Sequence, residues 1–324
     1  MTKGLVTTTV GSFSKPPYLA KARSAHAAGR IDDAELGEVT RRATREVIAL
    51  QEAIGLDILV DGEMARGDMV AYFAEHLAGM KIGGLVRSYG NRYYHKPVIA
   101  GELSWREPIT VDLWRYAQSL TDKPVKGMLT GAYTLVEWSF EEYYESPRAA
   151  VLAMAQAVRE EALALQAAGA EYIQIDEPAC STRPDEIALA AEAMAIVTEG
   201  LAAKTITHIC YGDFAPVYDD LLGIPVDQFD FEMANSAYEL LDLIGRNGFD
   251  RELGLGVVDV HAHVVEPVAA VEAGLRRALA LLPPERIYVD PDCGLKTRTW
   301  QESEAKLRVI VEAVDKVKAE YGIE

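Results

Sequence analysis

Four side chains of metal-binding type stand at the ends of three short apolar runs. They are His208 and Cys210 in ITHICYG, Glu232 in FDFEMAN and Cys293 in YVDPDCG. Zinc takes imidazole, thiolate and carboxylate ligands in tetrahedral sites. His208 and Cys210 are two residues apart, so on a strand their side chains point to one face. If the three runs are neighbouring strands, all four groups meet at one rim. A zinc held by thiolates is electron-rich, and it suits activation of another thiol better than peptide hydrolysis. A lone histidine or cysteine at a strand end is more often packed than ligating. The His-x-Cys pair joined by a cysteine from a separate run is what turns the reading towards metal. His261-x-His263 is a rival pair of the same spacing, with no further thiolate left to complete it. Cys180 lies in a loop past its strand and is not read as a ligand.

The elements that must position these groups alternate. Short β-rich runs are expected at 5–10, 57–60, 125–129, 172–175, 205–209, 228–231, 253–258 and 287–289. Helical patterns fall between most of them, clearest at 33–54, 147–168, 185–202, 267–282 and 301–321. Pro147 after Ser146 suits a first helical turn, and the glycines in AIGLD and AAGAE suit helix C-termini. Strands each followed by a helix predict an α/β fold with a parallel sheet, and eight of them predict a closed (β/α)8 barrel. An open doubly wound sheet is the second choice, weakened because no G-x-G-x-x-G follows the first run. Residues 81–102 break the alternation and read as a β-hairpin inserted after strand two, turning at Gly90-Asn91. The whole chain, 1–324, is expected to form one catalytic domain.

Barrel enzymes place their chemistry at the C-terminal ends of strands. Those ends carry Gly11-Ser12, Asp61 to Glu63, Asp176-Glu177, His208 and Cys210, Glu232, Asp259 to His263, and Asp290 to Cys293. Glu63 and Asp176 also have a plainer reading as structural ion-pair carboxylates. The net charge of −18 argues against nucleic acid or an anionic membrane as partner. Three widely spaced cysteines do not form a disulfide framework and fit a reducing, cytoplasmic setting. The N-terminus lacks the layout of a signal peptide, and no apolar run reaches the ~18 residues of a membrane span.

Across nearly its whole length the sequence resembles the C-terminal catalytic barrel of cobalamin-independent methionine synthase. TTTVGSF, LVDGEMARGDMVAYF, AQSLTDKPVKGMLTG, IQIDEPA, HICY and VDPDCGLKTRTW carry the resemblance. It implies a zinc-dependent methyltransferase that methylates the thiol of L-homocysteine. The implied zinc ligands are His208, Cys210, Glu232 and Cys293. The implied homocysteine contacts are Val10, Gly11, Ser12, Glu63 and Asp176. The implied proton donor is His261, and the methyl-donor contacts fall on Arg92, Tyr93, Trp138 and Thr182.

The sequence departs from the family pattern on the donor side. Thr182 stands where the family has glutamate, Tyr93 where it has cysteine, and His261-Ala262-His263 where it has His-Ser-Pro. The second, N-terminal barrel of full-length members is absent from the sequence. These departures lead to methylcobalamin or a corrinoid methyl-carrier protein as the expected donor, with methyl-tetrahydrofolate as the alternative. Tyr89, Tyr93, Tyr94, Tyr133 and Trp138 are expected to stack on a flat donor or to pack the hairpin. A zinc alkyltransferase for another thiol, such as coenzyme M, and a non-catalytic zinc- or thiol-binding barrel are the other readings.

Overall fold

The computed structural model describes residues 3–87, 93–210, 212 and 214–324. Its strands, in chain order, are β1 Val6–Thr7, β2 Ala78–Arg87, β3 Tyr93–Ser104, β4 Gly127–Thr130, β5 Phe140–Glu141, β6 Tyr172–Asp176, β7 Lys204–Ile209, β8 Gln228–Phe231, β9 Glu252–Gly256 and β10 Ile287–Asp290. The chain forms two compact units. One comprises Met1–Ala65, Leu113–Lys126 and Phe229–Glu324, the other Arg66–Asp112 and Gly127–Gln228.

In the first unit the strand order is β1, β10, β9, β8, and β10 runs parallel to both β1 and β9. Every residue of β10 is buried, as expected of a parallel strand covered on both faces. The helix Asp33–Ile54 starts on a capping box between Asp32 and Glu35 and ends on Gly55 at φ 102°. Its buried stripe includes Ala43, Val47, Ile48 and Ile54. Gln51 lies in that stripe too. Its Nε2 donates to the Val60 carbonyl at 2.8 Å, and its Oε1 accepts from the Val60 N–H at 3.0 Å. Here the structure corrects the expected strand at 57–60. The Asp57 and Ile58 N–H groups both donate to the Thr7 carbonyl, Leu59 forms an isolated parallel bridge with Val125, and Gln51 takes both backbone groups of Val60, so no continuous strand forms.

In the second unit β4, β6 and β7 are parallel neighbours. The helix Pro147–Ala168 opens on Ser146, whose side chain accepts from the Ala149 N–H, and closes on Gly169 at φ 110°. β2 and β3 pair antiparallel with two register shifts, and β5 adds to β3 in parallel. The expected turn at Gly90-Asn91 lies outside the described residues. Among the described residues no helix is long and apolar enough to cross a membrane.

Candidate functional site

In the first unit, Glu232 follows β8 and is buried, while Cys293 follows β10 and is half-buried. One carboxylate ties their loops together. Asp292 Oδ1 accepts from the Met233 and Ala234 N–H groups at 2.9 and 2.8 Å, and Oδ2 accepts from Asn235 at 2.8 Å. The residue before Cys293 thus holds the three residues after Glu232. Burial pushes the Asp292 carboxyl up to about 6, against the pull of those three N–H groups, and the nearby Glu232 adds to the push. Gly256 makes the room, since a Cβ there would lie 2.5 Å from Asp292 Oδ1.

His261 stands in the loop after β9, with Nε2 3.8 Å from Glu232 Oε2. The Glu232 carboxylate, and after it Cys293 and Asp259, raise the imidazole above its ordinary value, opposed by partial burial. The loop is braced from below. The His261 N–H donates to Asp259 Oδ1 at 2.7 Å, and the Asp259 N–H donates to Glu266 Oε1 at 2.9 Å. The fully buried Lys306 ammonium pairs with Glu266 at 2.8 Å. His263 turns elsewhere, with Nδ1 2.7 Å from Glu302 Oε1, on the helix Trp300–Tyr321. The rival His261-x-His263 pair is therefore divided between two environments.

The 10–12 segment belongs to the same unit. The Leu295 N–H donates to the Ser12 carbonyl at 2.7 Å, and the Phe13 N–H donates to the Gly62 carbonyl at 3.1 Å. Lys15 Nζ donates to the Gly62 and Glu63 carbonyls at 3.2 and 2.7 Å. Val10 and Gly11 are buried; Ser12 and Glu63 are half-buried. Glu63 sits at φ 53°, a left-handed conformation that costs a non-glycine residue on the order of 1 kcal/mol. Its N–H is held by Asp61 Oδ1 at 2.7 Å. Within this unit the structure links the 10–12 segment, the Glu63 loop and the Cys293 loop through hydrogen bonds.

In the second unit, His208 is on β7 and Cys210 just past it, both buried. Asp176 ends β6 and accepts from Gln174 Nε2 at 2.8 Å. Its neighbour Glu177 is fully enclosed. Glu177 accepts from the Tyr133 N–H at 3.1 Å, the Thr134 N–H at 2.8 Å and Thr134 Oγ1 at 2.7 Å. Its own N–H donates to the His208 carbonyl at 3.1 Å. Burial pushes the Glu177 carboxyl up to about 7, with the Thr134 and Tyr133 bonds restraining the rise. A Cβ on Gly131 would meet Glu177 at 2.1 Å.

On the donor side, Arg92 lies outside the described residues, and Tyr93 opens β3. Trp138 caps the helix Ala132–Glu137 and is half-buried, while Thr182 is exposed, with Oγ1 donating to the Ala179 carbonyl at 2.9 Å. Tyr133 does not offer a stacking face. It is buried, and its hydroxyl bonds Glu186 at 2.8 Å. Cys180 is buried, and burial raises its thiol well above the usual range.

The roles of Asp292, Glu177 and Lys306 escaped the sequence reading. One signal was available: Gly256 interrupts the apolar run LGLG, and a glycine inside a strand marks a close approach by another group.

Residues 5–316 match the catalytic domain of the cobalamin-independent synthases. The chain belongs to that family. It is 43% identical over 330 residues to a 5-methyltetrahydropteroyltriglutamate–homocysteine methyltransferase of Streptomyces avermitilis, covering 98% of this chain and 43% of that protein. The chain thus spans less than half of that relative. It is also 39% identical to a methionine synthase of Saccharolobus solfataricus, covering 98% of this chain and 96% of that protein. A solved structure of a B12-independent methionine synthase from Shewanella, in complex with selenomethionine, superposes with a TM-score of 0.86 at 26% identity, covering 98% and 99% of the two chains.

Family membership corrects one expectation. The family is cobalamin-independent, which overturns methylcobalamin and a corrinoid carrier as donor and partner. Thr182 is exposed, and His263 is engaged with Glu302 rather than with the groups around Glu232.

Proposed function

We propose that the protein is a zinc-dependent methyltransferase that makes methionine from L-homocysteine, with a methyl-tetrahydrofolate as donor. The observation that carries the proposal is in the first unit: an imidazole, His261, stands 3.8 Å from a carboxylate of metal-ligand type, Glu232, whose loop is tied by Asp292 to the loop of Cys293. Membership of the synthase family and the names of the relatives support the reaction. We read the chain as one catalytic (β/α)8 domain. The family match across 5–316 supports that reading.

The residues fit zinc. His208, Cys210, Glu232 and Cys293 offer one imidazole, two thiols and a carboxylate, all buried or half-buried, which is a donor set zinc accepts. Zinc, when bound, would supply a positive charge that keeps a substrate thiol, of reference pKa near ~8.5, as the thiolate. The rest of the chemistry belongs to the protein. Glu63 and Asp176 accept charge-assisted hydrogen bonds from the ammonium of homocysteine. Ser12 and its neighbouring N–H groups take the carboxylate. The thiolate sulfur attacks the methyl carbon as the carbon–N5 bond breaks. N5 would leave as a poor amine anion, so His261 delivers a proton to it as general acid. Trp138, Tyr93, Arg92 and Thr182 are left for the donor.

Metal analysis tests the ligand set. The purified protein should hold close to one zinc per chain, and Cys210→Ser and Cys293→Ser should lose zinc and methyl transfer together. Full zinc retention in either variant would reject the assignment.

A further inference from the structure

Arg298 is buried, at 7% exposure, and does not belong to the residues assigned above. Its Nε and Nη1 are sealed from solvent and have no hydrogen-bond partner among the described residues. A guanidinium is charged at every accessible pH, and an ion buried without a partner costs several kcal/mol. Other buried cations of the same unit are satisfied. Lys306 has Glu266 and the Val264 carbonyl, and the half-buried Arg286 has the Phe249 and Arg251 carbonyls.

The position of Arg298 in the chain says which ligand to consider. Its N–H donates to the Leu295 carbonyl at 3.0 Å, and the Leu295 N–H donates to Ser12. Phe13 pairs with Leu295 in parallel, and Trp300 Nε1 donates to the Ser14 carbonyl at 3.0 Å. The Arg298 loop is therefore bonded on both sides to residues 12–14, the segment to which the proposed function gives the substrate carboxylate. Gly294 lets the two loops close, because a Cβ there would lie 2.1 Å from Ser12 Oγ. The loops of this unit that carry the residues assigned above also carry the carboxylates Asp61, Glu63, Glu232, Asp259 and Asp292. The Lys15 ammonium in these loops is engaged with the Phe13, Gly62 and Glu63 carbonyls, and a second cation would offset the repulsion that a substrate carboxylate meets there.

We propose that Arg298 is a carboxylate-binding residue, and that it holds the α-carboxylate of the amino-acid thiol alongside Ser12. The inference rests on the proposed function and adds a charged partner to what was otherwise a set of neutral donors. The planar fork of the guanidinium matches a carboxylate, and its donors are already desolvated.

Thermal-shift and calorimetric titrations of the zinc-loaded protein test it, with L-homocysteine and with 3-aminopropanethiol, which has the thiol and amine but no carboxylate. The wild type should bind homocysteine the more tightly, and Arg298→Met should weaken homocysteine by roughly tenfold to a hundredfold, the range of a charged hydrogen bond. Arg298→Met should leave 3-aminopropanethiol and zinc content unchanged, and Arg298→Lys should recover part of the loss. Undiminished homocysteine binding in Arg298→Met overturns the inference. Should that variant fail to fold, equal affinity of the wild type for the two thiols, or wild-type homocysteine affinity in Arg298→Lys, overturns it. Selective weakening of a polyglutamyl methyl-tetrahydrofolate, with homocysteine unaffected, would move the carboxylate to the donor and also overturns it. A wild type that binds neither thiol would reject the proposed function itself.

Discussion

Two buried carboxylates perform the same structural task in different units, and the difference lies in what each one holds. Asp292 accepts three backbone N–H groups and fixes the loop that follows Glu232, one residue before Cys293. Glu177 accepts two N–H groups and a hydroxyl and fixes the start of the helix Ala132–Glu137, one residue after Asp176. Each passes over a glycine that clears its path, Gly256 and Gly131 respectively. The Asp292 carboxylate fixes the loop beside residues proposed to hold metal; the Glu177 carboxylate fixes a helix start beside a residue proposed to hold substrate, while the Glu177 N–H bonds the His208 carbonyl. Precision at such a site comes from groups that never touch the reactants but lock those that do.

The largest effect expected on this comparison comes from the proposed proton donor. His261→Ala should lower methyl transfer from methyl-tetrahydrofolate by about 10²–10⁴-fold, as loss of a general acid does, while zinc content stays normal. Turnover near the wild-type rate would remove His261 from the chemistry, and loss of zinc would recast it as part of the metal site.

Asp292→Asn leaves one amide oxygen where two carboxylate oxygens accepted three bonds. Zinc affinity should fall by about 10–100-fold, the usual cost of losing a group that orients ligands. Chelator competition reads this directly. An Asp292→Asn protein that holds zinc as tightly as the wild type, but binds homocysteine poorly, would erase the distinction between the two carboxylates.

Glu177→Gln gives the smallest effect, and stability rather than metal should report it. Burial raises the Glu177 carboxyl from 4.5 to about 7. Between those values the folded protein keeps a proton that the unfolded chain releases. The group's contribution is therefore fully present below about pH 4.5 and declines as pH rises through 7. The variant lacks this titration. Urea unfolding at pH 5 and pH 8 should show the wild type losing more stability than Glu177→Gln, by on the order of 2–3 kcal/mol. Parallel losses would mean that the three donor bonds keep Glu177 ionised throughout.

Much of this was legible in the sequence because it is local. The Ser146-Pro147 helix start and the runs that form β6, β7, β8 and β10 need only neighbouring residues to be recognised. The contacts that failed to show are long-range. Asp292 reaches Met233 across 59 positions, and Glu177 reaches Thr134 across 43. The 57–60 run looked like a strand, yet Gln51 on a helix took its Val60 backbone bonds. Tyr133 looked available for stacking because nothing in the sequence announces Glu186 as its partner. The donor side is illegible for a related reason. The sequence shows that Thr182 and His263 depart from the family pattern, but not that one is exposed and the other engaged with Glu302.

The central claim is that this chain transfers a methyl group to a homocysteine thiol through a zinc-holding site. The direct measurement is methionine formation by the purified, zinc-loaded protein given L-homocysteine and triglutamyl methyl-tetrahydrofolate, with the chelated protein and Cys293→Ser run beside it. The account predicts methionine from the zinc-loaded wild type, none from the other two, and restoration when zinc is returned to the chelated protein. No methionine from the zinc-loaded protein, or undiminished synthesis after zinc removal, would contradict it.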